Sequence, residues 1–158
     1  MRRSIRLAAV TAAFLVLLPV ATVQATPSLE VEFTVPTTIP ADGGPTFGPF
    51  TASGAAVDTG MVCPAGQTVD VFGKASAFQS PVSVGINFQV VKLFTCDDGS
   101  GQFLVKLQVR IDAKGDNFAW VVMGGTDDYA RLRGTGSGVG YPTATGVLDM
   151  YDGDLHVD

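Results

Sequence analysis

Four glycines, Gly134, Gly136, Gly138 and Gly140, fall at a strict spacing of two, with Thr135, Ser137, Val139 and Tyr141 between and after them. On a strand, alternate residues share a face, so one face of this segment is bare backbone. A bare face lets a large side chain or another backbone approach closely, or lets a sheet bend sharply. The same spacing excludes a dinucleotide loop: Val139 stands where a third phosphate-cradling glycine belongs, and no helix follows. The rest of the chain is read around this bent, bare-faced strand.

Period-two alternation recurs along the sequence. Leu29, Val31, Phe33 and Val35 alternate with Glu30, Glu32 and Thr34, which predicts a strand with its carboxylates toward solvent. Small residues over 50–57 predict a second strand, and residues 69–78 a third with a bulge at Gly73. In the fourth, Val84, Ile86, Phe88 and Val90 give way to Val91 and Leu93, a phase shift that predicts another bulge. Asp97-Asp98-Gly99-Ser100-Gly101 reads as a hairpin turn. Phe103, Val105, Leu107, Val109 and Ile111 form the cleanest apolar face. Residues 118–123 are apolar on both faces, which predicts a strand covered on both sides. A helical turn over 128–131, the glycine strand and a last strand over 145–151 complete the set. Eight short strands with Gly- and Pro-rich turns suggest a closed barrel or a sandwich. Closure removes exposed edges, so the expectation is all-β: a single eight-stranded antiparallel barrel of the calycin type with little helix. Such a barrel has an interior just wide enough for packed side chains or one small ligand.

Residues 1–25 carry Arg2, Arg3 and Arg6, an apolar run over 7–20 and a Val23-Gln24-Ala25 end, the pattern of a removable secretory signal. The apolar run is shorter than the roughly 20 residues a spanning helix needs. The expectation is a secreted domain over 26–158, without a membrane anchor once the signal is removed. Three of the ten basic residues and none of the fifteen acidic ones lie in that segment, so the remainder has seven against fifteen, a net of −8. That balance argues against nucleic acid and anionic membrane surfaces as partners. Cys63 and Cys96 are the only cysteines. In an exported chain the pair is expected to form a disulfide; free thiols or a metal pair are the alternative, though no histidine stands near either.

Residues that could carry chemistry are sparse. His156, the only histidine, is the third residue from the C-terminal end, where a fraying end would hold a catalytic base poorly. Neither a zinc site nor any cofactor is expected. Asp149, Asp152 and Asp154 lack the spacing and the closing glutamate of the twelve-residue calcium loop. Arg131 and Arg133 beside Tyr129 could clamp an anion or simply balance Asp127 and Asp128. Trp120, Tyr129, Tyr141 and Tyr151 are candidates to line a lumen, because aromatics with polar tips suit a pocket, and they suit a filled core equally well.

The run Gly124-Gly125-Thr126-x-x-Tyr129-Ala130-x-Leu132-x-Gly134-x-Gly136 resembles the signature of the allene oxide cyclase-like and dirigent-like barrels. The ending Leu148-Asp149-Met150-Tyr151-Asp152-Gly153 fits the same layout, which loosely covers residues 28–156. Asp127 stands where the pattern usually has glycine, and Arg131 where a small residue is common. Asp tolerates left-handed backbone angles, so the turn can survive. The resemblance implies the barrel. It also implies, as one reading, a cyclase or stereochemical guide acting on a hydrophobic small molecule in the lumen. No catalytic residue can be aligned position by position, so the other reading stands beside it: a non-catalytic binding or interaction domain with a small apolar ligand. The sequence leaves open whether the protein is an enzyme and how many copies assemble.

Overall fold

In a computed structural model, described over residues 27–80, 83–113 and 115–158, the chain forms eight antiparallel strands that follow one another around a closed barrel. They are β1 (Leu29–Thr38), β2 (Phe47–Ser53), β3 (Ala65–Ser80), β4 (Ser83–Cys96), β5 (Gln102–Asp112), β6 (Gly115–Gly125), β7 (Leu132–Pro142) and β8 (Gly146–Val157). β1 closes the ring by pairing with β8 from Leu29–Leu155 to Thr38–Gly146. The signal-like residues 1–25 lie outside the described residues.

Inward and outward positions alternate as the sequence pattern demands. Val31, Phe33 and Val35 are buried, while Glu30 and Glu32 are exposed. The glycines of β7 face inward, and their bare backbone is used. A Cβ on Gly136 would stand 2.6 Å from the Trp120 ring, and one on Gly138 would collide with the Phe118 ring. The missing side chains are therefore the space that lets two large rings of β6 lie flat against β7.

Several elements differ from the sequence-based expectation. The second strand runs Phe47–Ser53, not over 50–57. Gly54, at φ +104°, turns the backbone out of pairing, and α1 (Ala55–Asp58) follows, seating Ala56 in the core. The β3 irregularity lies between Asp70 and Phe72 rather than at Gly73. β4 carries no bulge at Val90–Val91: its pairing with β5 is unbroken from Gly85–Asp112 to Thr95–Gln102. The inward phase therefore continues through Phe88, Val90, Lys92 and Phe94, and Lys92 is only 2 % exposed. Outer apolar residues of β6 are not covered: Val121 and Met123 remain exposed because no second layer packs outside the barrel. The last strand extends to Val157 through its pairing with β7, so His156 sits within a ladder opposite Arg133 rather than at a frayed end.

One end of the barrel is filled. Phe33 is the hub, with ring centroids of Phe50, Phe94, Phe103, Trp120 and Tyr151 all 5.6–6.2 Å away. The Cys63–Cys96 disulfide spans Cα atoms 6.0 Å apart and ties the connection after α1 to the end of β4. Its closed loop contributes about 3–4 kcal/mol on the chain-entropy account. The turn that opens the glycine strand keeps its geometry: Asp127 adopts φ +52°, the left-handed angle glycine would supply. The helical turn itself is a 3₁₀ turn over Asp127–Tyr129, one residue ahead of the expected position.

Candidate functional site

The other end of the barrel is open and chemically different. Phe118 and Leu107 mark where the aromatic core gives way to a cavity of about 160 Å³. Phe88, Val90, Val109, Ile111 and Val147 form its apolar walls, and Thr37, Thr46, Asp70, Lys92, Asp116 and Asp149 bring polar atoms into it. Each polar residue comes from a strand, or the edge of one, whose alternation points it inward. Thr37 continues the Val31–Phe33–Val35 phase of β1. Lys92 lies between Val90 and Phe94 on β4, Asp116 two residues before Phe118 on β6, and Asp149 two before Tyr151 on β8.

These groups form a connected network. Lys92 Nζ lies 2.8 Å from Asp70 Oδ1. It also donates weakly, at 3.5 Å, to Thr37 Oγ1. Thr37 in turn donates to Asp149 Oδ2 at 2.9 Å. The Thr46 hydroxyl donates to Asp70. Two oxygens stay out of this network: Asp116 Oδ1 and the Tyr151 hydroxyl are both buried without a hydrogen-bond partner. Gly140 leaves room for Asp116, since a Cβ there would stand 2.5 Å from Oδ2.

Burial raises the Asp149 carboxyl to a pKa of about 6; Lys92 and the Thr37 hydroxyl oppose the rise, and Asp116 and Asp70 add to it. Burial also raises Asp116. The Tyr151 hydroxyl is pushed well above its ordinary value by burial first, then by the charges of Asp149, Asp70 and Asp116. All three carboxylates thus act on the hydroxyl electrostatically. Unpartnered buried polar atoms cost free energy, on the order of 1–3 kcal/mol each, so a fold that keeps them invites a functional explanation.

The aromatic candidates are distributed over three environments. Tyr151 is buried at the junction of core and cavity, its ring 4.7 Å from that of Phe118. Trp120 is buried in the filled core, and its indole N–H donates to the Ser137 carbonyl at 3.0 Å. Tyr129 plugs the opposite end, sharing a 2.7 Å hydrogen bond with the Ser100 hydroxyl and lying 3.3 Å from the disulfide sulfur of Cys96. Tyr141 is a correction: it follows the outward phase of β7, is 53 % exposed and lies outside the lumen. There it lines a shallow outer groove of about 640 Å³ with Val139 and Met150.

The remaining candidates do not converge. Asp149 points inward while Asp152 and Asp154 point outward, so these three cannot gather around one ion. Arg133 pairs with Asp158 at 3.0 Å, away from the inward-turned Tyr129. His156 Nε2 lies 3.5 Å from the same Asp158 on the outer surface. Sequence reasoning missed Asp70, Lys92 and Asp116 and weighed Asp149 only as a calcium ligand beside Asp152 and Asp154. The signal was present: each of Lys92, Asp116 and Asp149 is a charged residue in phase with an inward apolar set.

Comparison with protein-family models, curated proteins and solved structures finds no match for this chain.

Proposed function

We propose that this protein is an exported binding barrel that takes a small, mostly apolar molecule into the open half of its lumen. The observation that carries this reading is the polar cluster of Asp70, Lys92, Asp116 and Asp149 at the end of an otherwise apolar cavity, with the buried Asp116 Oδ1 unsatisfied. Apolar walls with a few convergent polar groups are the usual make-up of a small-molecule site. A cavity of about 160 Å³ suits a single ring or a short chain, with any larger body projecting from the mouth. The signal-like start of the chain supports export, and the acidic balance of the remainder supports a small molecule over nucleic acid.

A specific observation favours a second reading. A carboxyl titrating near pH 6 holds a transferable proton around neutral pH, which is what a general acid needs. Asp149 could then protonate or orient a reactive apolar substrate, in keeping with the resemblance of the 124–136 run to the cyclase-like and dirigent-like barrels.

Ligand binding is tested by thermal shift and NMR titration with a panel of small aromatic and aliphatic molecules. Binders are expected to raise the melting temperature and to perturb Val109, Phe118 and Val147. A Val109→Trp variant, which fills the cavity, should abolish both effects. Absence of any binder at high excess, or binding that survives the Trp substitution, would refute the lumen reading. An Asp149→Asn variant that still binds but fails to convert a ligand turned over by the native protein would favour the catalytic one.

A further inference from the structure

We propose that the lumen's ligand is a monovalent organic cation, an ammonium-type head on a small apolar body, seated with its head between Asp116 and Asp149 and its body against Phe88, Val109, Phe118 and Val147. This rests on the small-molecule reading above and specifies its chemistry.

Charge is the first reason. Three carboxylates share the site with one ammonium, that of Lys92, which is engaged with Asp70 at 2.8 Å. Among the described residues, neither Asp116 nor Asp149 has an ion-pair partner of its own. Hydrogen-bond chemistry is the second. Ionised carboxylates only accept, and an ammonium offers three donors and no acceptor. The site has accepting atoms to spare: Asp116 Oδ1 has no donor, and Asp149 receives the Thr37 hydroxyl on Oδ2. The Tyr151 hydroxyl gives an independent pointer. It belongs to a residue only 2 % exposed, has no partner, and lies within the field of all three carboxylates. A donor head in the cavity would satisfy the free acceptors of Asp116 and Asp149. An anionic head would add a fourth negative charge to a poorly solvated site. A hard divalent ion would want six or more oxygens, and the walls supply hydrocarbon instead. Among the described residues, no group of three or more His, Cys, Asp or Glu side chains is placed to hold a metal ion.

The test uses one body with three heads: benzylamine, benzyl alcohol and benzoate, titrated into the native protein at pH 7.5 and followed by NMR. Benzylamine is expected to bind about tenfold or more tightly than benzyl alcohol, the worth of one charge-assisted hydrogen bond, with benzoate weakest. Asp116→Asn and Asp149→Asn should each remove most of that preference while keeping benzyl alcohol binding, which also reports that the variant is folded. Benzylamine affinity should fall as pH drops through about 6 and Asp149 takes up a proton. The groups facing Asp149 in this titration are Asp70, Lys92, Asp116 and Tyr151. The proposal fails if benzyl alcohol or benzoate binds as tightly as benzylamine, or if the preference survives both substitutions. In either case the small-molecule reading stands. If none of the three binds, and no member of the wider apolar panel does, both readings fall together.

Discussion

The two ends of this barrel are built from the same alternating strands and solve opposite problems. At the closed end, the inward positions of β1, β2, β4 and β5 carry Phe33, Phe50, Phe94 and Phe103, and the disulfide lies beside them. Apart from the Tyr151 hydroxyl at its border, the buried groups described there are apolar or hydrogen-bonded, and Phe94 and Phe103 stack at 4.9 Å. At the open end the same strands, and their neighbours β3, β6 and β8, place Thr37, Lys92, Asp70, Asp116 and Asp149 inward. One end gains stability from burial; the other retains buried charge that a well-packed apolar core of similar volume would match or improve on. The contrast teaches that stability and site chemistry can be segregated along the axis of a single small barrel.

Substitutions at the two ends should therefore differ in sign as well as size. Phe33→Ala at the closed end is expected to cost about 3–5 kcal/mol in denaturant unfolding, because it leaves a void among five rings. A cost under 1 kcal/mol would show that the filled end is not where stability resides.

At the open end the expected sign is the reverse. Asp149 titrates near 6 in the folded protein and near the ordinary 3.8 when unfolded. Between those values the folded state holds a proton that the unfolded chain has released. Stability should therefore fall as pH rises from about 4 to about 6, by at most about 3 kcal/mol. Asp116, raised in the same direction, adds to the slope. Asp149→Asn should flatten most of that dependence and stabilise the protein above pH 6, as read from melting temperatures across the range. A steeper slope in the variant, or a loss of stability at pH 7, would break the comparison.

The smallest effect belongs to the turn that leads into β7. Asp127→Gly should be nearly neutral, whereas Asp127→Val should cost about 1–2 kcal/mol, because a β-branched side chain fits φ +52° poorly. Equal stability of the two variants would show that this turn does not constrain the closed end.

Much of the fold was legible in single residues. The β1 and β5 faces, the hairpin turn at Asp97–Gly101 and the bare face of β7 all follow from local alternation and turn chemistry. Lys92 was not legible in the same way. Val91 and Leu93 are apolar, and a local reading preferred a bulge that would bury them. The uninterrupted ladder with β5 instead holds the phase, buries Lys92 and turns Val91 and Leu93 to the outer side. Tyr141 failed for a related reason: its polar tip and aromatic ring suit a pocket, but its parity on β7 is outward.

What the sequence by itself determined is what period and spacing encode: an all-β chain, its turns, its two cysteines as partners, and a strand stripped of side chains on one face. Only the tertiary structure decided which strand ends meet. Asp70, Lys92, Asp116 and Asp149 lie on four strands, two of which, β6 and β8, flank the glycine strand between them. Their convergence depends on strand register and ring closure, and these are fixed by the packing of the whole barrel rather than by any segment of it.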